Sequence, residues 1–215
     1  MDEVKVEASV TVIGDLVGSR RSIDRGAIHA RFEQAVAAVN SAYAPPVPLR
    51  IGTGDEFQGI FGSLGAALAA TLRLRMALLP EVDVRQGIGW GRVVVLSEEP
   101  RVEDGPGWWA ARSAIETVEG YERKAQLRAV RTAYVAADGE PGPAPALVNA
   151  ALMTRDVVVS GLSARGMSVL DGLMRGKRQQ DIAHDLGISP SAVSQRIRAE
   201  GLGVVLAADE LMRDL

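Results

Sequence analysis

An α+β fold is predicted by three features of the sequence: short β-branched runs, amphipathic stretches of helical period between them, and turn residues that separate the two. Over the first half of the chain their order is strand, helix, strand, strand, helix, strand. That order predicts a ferredoxin-like antiparallel sheet with helices on one face. The last quarter carries no strand pattern and reads as an all-α helix-turn-helix domain.

Val4 to Val17 is mostly apolar and β-branched, as expected of a central strand buried on both faces. It holds Asp15 near its end. The Gly18-Ser19-Arg20-Arg21 loop that follows offers backbone N–H groups and guanidinium charge to an anion. Asp24 is a natural cap for a helix running to Tyr43, with Ile28, Phe32, Ala35, Val36 and Val39 along one stripe. Ala44-Pro45-Pro46 stops it. Val47 to Phe61 reads as a hairpin turning at Gly54-Asp55, with Asp55 and Glu56 at an acidic tip. Ser63 caps a second helix, which Pro80 ends. Val82 to Leu96 reads as strand. In it Gly87, Gly89 and Gly91 leave three bare positions on one side, room for a ligand or, more commonly, for a closely packed helix.

Ser97 to Gly107 is polar and rich in turn formers, and reads as a loop. Trp108 to Leu127 reads as a helix in which Arg112, one turn beyond Trp108, faces the same way. Trp108 and Trp109 can anchor that helix, form a subunit contact or stack on a base. Ala129 to Ala137 is one more strand, Glu140 to Pro145 a rigid break, and Ala146 to Ser160 a connecting helix. The expected division is 1–140 for the sheet domain, 141–161 for the link and 162–215 for the helix-turn-helix domain.

In that last segment Leu162, Val169, Leu170 and Leu173 mark one helix, Gln179 to Leu186 a second, and Gly187-Ile188-Ser189 the turn. Ser189 caps a third helix whose first position is Pro190. Val193 and Ile197 then point inward, and Ser191, Ser194, Gln195 and Arg198 outward. With Arg178, these are residue types that read bases and phosphates. Between Ser163 and Glu200 lie six Lys or Arg and four Asp or Glu, a local excess of +2 in a chain of net charge −3. Binding to double-stranded DNA is therefore expected to be local and to gain from a homodimer.

At 215 residues and 47% apolar content the chain can bury a sizeable core, yet only 4% is aromatic. It has no cysteine, which excludes disulfides, Cys-ligated zinc and thiol nucleophiles. His29 and His184 lie far apart in helical patterns and read as surface residues. Met1 to Glu7 is charged rather than apolar, and no apolar run approaches the ~20 residues of a membrane helix. A soluble, cytoplasmic protein with no membrane partner is expected.

If the first strand lies beside the hairpin, Asp15 and Asp55 come together, with Glu56 adjacent. Paired carboxylates suit Mg²⁺ or Mn²⁺ and a nucleotide phosphate. Family resemblances point the same way. IGDLVGSR resembles the first metal motif of class III nucleotidyl cyclases, and GTGDEFQGIF resembles their second and the signature hairpin of GGDEF diguanylate cyclases. QGIGWGRV is similar to the cyclase strand that follows. GPGWWAARSAIE resembles the cyclase helix that supplies an Asn and, four residues later, an Arg. Arg112 matches the Arg, Trp108 stands where the Asn would be, and Ile51 falls near the place of the purine-selecting Lys. Residues 8–120 together resemble the SatD family, and the C-terminal segment resembles the LuxR/sigma-region-4 type of helix-turn-helix. These resemblances imply a cyclase-like palm domain in which Asp15, Asp55 and Glu56 hold the cation. Gly18, Ser19, Arg20 and Trp108 would meet the nucleotide. The expected function is a DNA-binding transcriptional regulator whose palm domain binds a purine or cyclic nucleotide as sensor and dimerisation module. The alternative is an active nucleotidyl cyclase, with Arg112 catalytic.

Overall fold

The apolar run that ends near Asp15 forms the central strand of a five-stranded sheet. This computed structural model describes residues 9–18, 24–52 and 54–215. The start of the first strand, from Val4, and Ser19, Arg20 and Arg21 of the anion loop lie outside the described residues. In chain order the sheet domain comprises β1 (Ser9–Val17), α1 (Arg25–Tyr43), β2 (Val47–Ile51), β3 (Glu56–Phe61), α2 (Leu64–Leu78) and β4 (Asp83–Gly91). It continues with β5 (Val94–Glu98), β6 (Arg101–Asp104), α3 (Pro106–Glu122) and β7 (Thr132–Ala136). Five helices come after it: α4 (Pro145–Ser160), α5 (Ala164–Met174), α6 (Gln179–Leu186), α7 (Pro190–Ala199) and α8 (Leu202–Met212).

Sheet order is β2-β3-β1-β4-β7, with β1 antiparallel to both β3 and β4. The expected β-α-β-β-α-β core is present. The sheet is mixed rather than antiparallel throughout, because β7 joins β4 in parallel. Its start after α3 follows from geometry: a parallel neighbour requires a crossover, which the helix supplies.

Local caps act as the sequence reading anticipates. The Asp24 carboxylate accepts from Ala27 N at 2.9 Å and the Ser63 hydroxyl from Ala66 N at 3.1 Å. Phe32, Ala35, Val36 and Val39 are buried against the sheet, with Phe32 edge-on to Phe57 at 5.7 Å between centroids. Val10, Val12 and Leu16 of β1 and Val84 and Ile88 of β4 face the same core.

The opposite face carries α3. Three expectations change here. The strand from Val82 does not run to Leu96: it ends at Gly91, and Val94–Glu98 pairs instead with Arg101–Asp104 as a separate hairpin. The stretch read as a loop, from Ser97, thus holds the end of one short strand and the whole of another, whose polar residues and turn formers mask a pairing that is mostly solvent-exposed. The helix begins at Pro106 and ends at Glu122. The chain leaves β4 because Gly91 meets the start of α3, where Gly107 N donates to Arg92 O at 3.0 Å. The glycine stripe is the seat of that helix. A Cβ on Gly87 would strike Ala111 O and Ile115 N, and one on Gly89 would strike Gly107 O and Ala111 N. Thr11, fully buried, ties the same turn down by donating to Gly107 O at 2.8 Å.

Both outer strands are closed by an amide from a helix. Asn40 of α1 donates to Leu49 O at 2.9 Å and accepts from Leu49 N at 2.8 Å. Asn149 of α4 does the same for Tyr134 on β7, at 2.7 and 2.9 Å. Each bond contributes about 1 kcal/mol and blunts an edge.

The C-terminal helices pack on α2. Leu72 and Met76 of α2 share one core with Val169, Leu170, Ile182, Ala183, Val193 and Leu202. α8, for which no pattern was singled out, returns to the sheet domain: Met212 enters the main core and Gly65 N donates to Leu215 O at 3.1 Å. No helix among the described residues is long and apolar enough to cross a membrane.

Gly89→Ala should lower stability by about 1–3 kcal/mol, the usual cost of overpacking. Urea denaturation followed by circular dichroism measures it, and an unchanged midpoint would contradict the seating of α3 on the glycine stripe.

Candidate nucleotide site and its charge network

Strand parity sets the geometry of this site. Asp15 faces the α3 side of the sheet, opposite Glu56 on β3 and Arg85 on β4 in register. Arg85 lies two residues before Gly87, so it continues the same face as the glycine stripe. Glu119 and Glu122, one and two turns past Ile115, bring the end of α3 over it.

Arg85 holds Asp15 through two parallel bonds, Nε to Oδ1 at 2.8 Å and Nη2 to Oδ2 at 3.0 Å. Its Nη1 donates to Glu122 at 3.1 Å and lies 3.8 Å from Glu119. Burial pushes the Asp15 carboxyl above its ordinary value. Arg85 opposes that rise, and the negative charges of Asp55 and Glu119 add to it. Asp55 is therefore near Asp15, as the hairpin register predicts. Asp55 and Gly54 also border a shallow recess with Leu16, Ile28 and the Arg25 and His29 side of α1. Gly18 is exposed, with a φ of 71° that favours glycine.

Other residues singled out in the sequence separate. Trp108 is 8% exposed and packs against Ile13, Ile60, Ala111 and Ile115, so its ring serves as the anchor of α3 and has no face open to a base. Arg112 does not share that environment. It projects from α3 into solvent, because the buried stripe runs through Trp108, Ala111 and Ile115. Trp109 is the exposed tryptophan, its Nε1 donating to Asp104 at 2.8 Å. His29 and His184 are both on the surface, the latter 92% exposed. On α7 and at the start of α6, Arg178, Ser191, Gln195 and Arg198 are exposed and Ser194 is half-buried. Arg178 pairs with Asp181 at 2.9 Å, and the Ser191 and Ser189 hydroxyls lie 2.8 Å apart.

Beyond Arg85 the charges continue as a chain. Glu122 also accepts from Arg131 at 2.8 Å, and Arg131 donates to Asp83 at 2.8 Å. Asp83 pairs with Arg75, which is 1% exposed and donates on to Asp156 at 3.0 Å and Ser160 at 2.8 Å. Asp156, fully buried, accepts from Arg131 N and Thr132 N with its second oxygen, both at 2.7 Å. Sequence reasoning missed Arg85, Glu119, Glu122 and this chain. The one available signal was the parity that places Arg85 on the glycine side of β4.

A divalent cation at Asp15 does not fit this donor set. Both carboxylate oxygens are taken by the guanidinium. Among the described residues no group of three or more His, Asp or Glu side chains is placed to hold a metal ion.

These features define a ferredoxin-like sheet domain joined to a helical C-terminal segment. The sequence matches the SatD family over residues 9–215, and the chain belongs to that family. No curated protein sequence matches it. Among solved structures, a bacterial light-regulated adenylyl cyclase is similar with a TM-score of 0.46 and 14% identity, over 60% of this chain and 75% of that one. The adenylyl cyclase CyaB from P. aeruginosa gives 0.39 and 11%, over 52% and 71%.

Two measurements follow from the network. Asp156→Ala leaves Arg75 and two backbone N–H groups without their buried acceptor, and should cost about 3–5 kcal/mol in urea denaturation. A loss below about 1 kcal/mol would show that the cluster is solvated. The second concerns pH. Burial raises the Asp83 carboxyl, but the charges and hydrogen bonds of Arg75 and Arg131 outweigh it and hold the group below the usual range. A depressed carboxyl stabilises the fold above its unfolded value near 3.9, and that stability is lost as pH falls through the folded value. Asp15, raised, has the opposite sign: its ionisation removes stability as pH climbs through its folded value. Asp83→Asn should therefore flatten the fall in unfolding free energy below about pH 4. An acid limb as steep as the wild type's would assign the loss to other carboxylates.

Proposed function

We propose that this chain is a DNA-binding transcriptional regulator whose sheet domain binds a purine or cyclic nucleotide as its signal, and that it acts as a homodimer. The observation that carries the reading is the charge balance around α7. Each acid between Ser163 and Glu200 has its own basic partner: Asp171 with Arg175, Asp181 with Arg178, Asp185 with Lys177 and Glu200 with Arg196. The excess positive charge is thereby left to Arg165 and Arg198. Arg198 shares the outer side of α7 with Gln195, Ser191 and Ser194, while Val193 anchors the inner side. The α6-turn-α7 unit supports this reading. Gly187 closes α6 at a φ of 61°, Ser189 caps α7 through Ala192 N at 3.2 Å, and Pro190 takes the first position. Such a helix, presented end-on by a short turn, fits a major groove. For the nucleotide, the supporting features are the recess between Asp55 and α1, with Arg25 and His29 beside it, and, in the sequence, the Gly18-Ser19-Arg20 stretch, whose residue types suit an anion. Turnover forms no part of the proposal, since the position of the cyclase Asn is the buried Trp108.

Fluorescence anisotropy with a labelled fragment of the chain's own promoter tests the DNA half. Gln195→Ala with Arg198→Ala should weaken binding by about tenfold to a hundredfold or more, at 1–3 kcal/mol per contact. Retained affinity in the folded double variant overturns the role of α7. ATP or GTP with Mg²⁺ should raise the melting temperature of the wild type and not of Asp55→Asn. The absence of a shift with any nucleotide overturns the sensor half.

A further inference from the structure

The guanidinium of Arg85 stands at the meeting point of three carboxylates: Asp15 from β1, and Glu119 and Glu122 from α3. The carboxylates gather around a cation that the chain itself supplies, and none of the described acids is grouped to hold a metal ion in its place. We infer that Arg85 is the resident cation of this site, and that it excludes a bare divalent ion from Asp15. The inference concerns the cation alone and stands whether or not the domain binds a nucleotide.

Three observations carry it. First, Arg85 spends Nε, Nη1 and Nη2 on carboxylates, and the two parallel bonds to Asp15 match the planar fork in a way a spherical ion does not need. Second, the pair is largely enclosed, Arg85 being 22% and Asp15 18% exposed. An ion that took Asp15 would leave two guanidinium N–H groups partly desolvated with no acceptor, a cost that a solvent-exposed pair would escape. Third, Arg85 cannot readily turn elsewhere. Glu122 is shared with Arg131, whose other nitrogen is held by Asp83. Moving Arg85 would disturb each link of that chain. The backbone fixes the arrangement as well, since Asp15 and Arg85 are register partners on adjacent strands and α3 is seated by the glycines next to them.

Manganese titration with electron paramagnetic resonance reads this directly, using Mn²⁺ alone and the full chain. The wild type should take up no stoichiometric Mn²⁺ below about 1 mM. Arg85→Gln, which empties the centre and leaves all three carboxylates, should gain one Mn²⁺ site at least about tenfold tighter than any in the wild type, and Arg85→Gln with Asp15→Asn should lose it. Arg85→Lys keeps the charge and gives up the fork. It should stay folded if Arg85→Gln does not, and should bind Mn²⁺ more tightly than the wild type. Thermal melts of each variant establish that it is folded. The inference is overturned if the wild type binds one Mn²⁺ tightly and Asp15→Asn abolishes it, or if folded Arg85→Gln or Arg85→Lys gains nothing.

Discussion

Asp156 is the fixed point of this molecule. It is fully buried, and its two oxygens do different work: one receives Arg75 from α2, the other receives the backbone N–H groups at the start of β7. A carboxylate removed from water is tolerated only when every lone pair finds a donor. The position of α4 therefore sets where β7 begins, and Arg75 in turn holds the start of β4 through Asp83. Arg155, equally buried, adds a bond to Leu68 O at 2.9 Å. Hydrophobic contact alone would let these helices slide on the sheet; the directional bonds set one register.

The same constraint reaches the C-terminal helices. Arg75 also binds Ser160, two residues before Leu162 enters the core that α2 shares with α5, α6 and α7. α2 is thus buried on nearly every side, with only three of its fifteen residues left outside the buried set.

Much of the fold was legible in the sequence because each element announces itself locally. Asp24, Ser63 and Ser189 cap helices with their own side chains, and Gly54 and Gly187 adopt the positive φ that the turns require. The glycine stripe stated its own purpose, since a helix backbone lies against it. What was not legible arises between distant segments. Asp83, Glu122 and Asp156 look like surface acids in a linear reading, and only the crossover to β7 shows that they converge. α8 is mostly apolar with a weak amphipathic pattern, so nothing in its sequence says that one end belongs to the C-terminal core and the other to the sheet. In the candidate site, proximity of Asp15 and Asp55 could be deduced from hairpin and strand order. The partner that matters most to Asp15 sits on a third strand, and motif spacing gives no measure of it.

The amides of Asn40 and Asn149 also have a meaning for how copies of this chain can meet. A strand added to either side of the sheet would need the outward N–H and C=O of Leu49 or Tyr134, and both are already spoken for within the chain. Assembly by extending the sheet from subunit to subunit is closed at its two natural starting points, and with it the runaway stacking to which bare strands are prone. A contact made through helices or the outlying β5–β6 ribbon would leave these amide bonds intact.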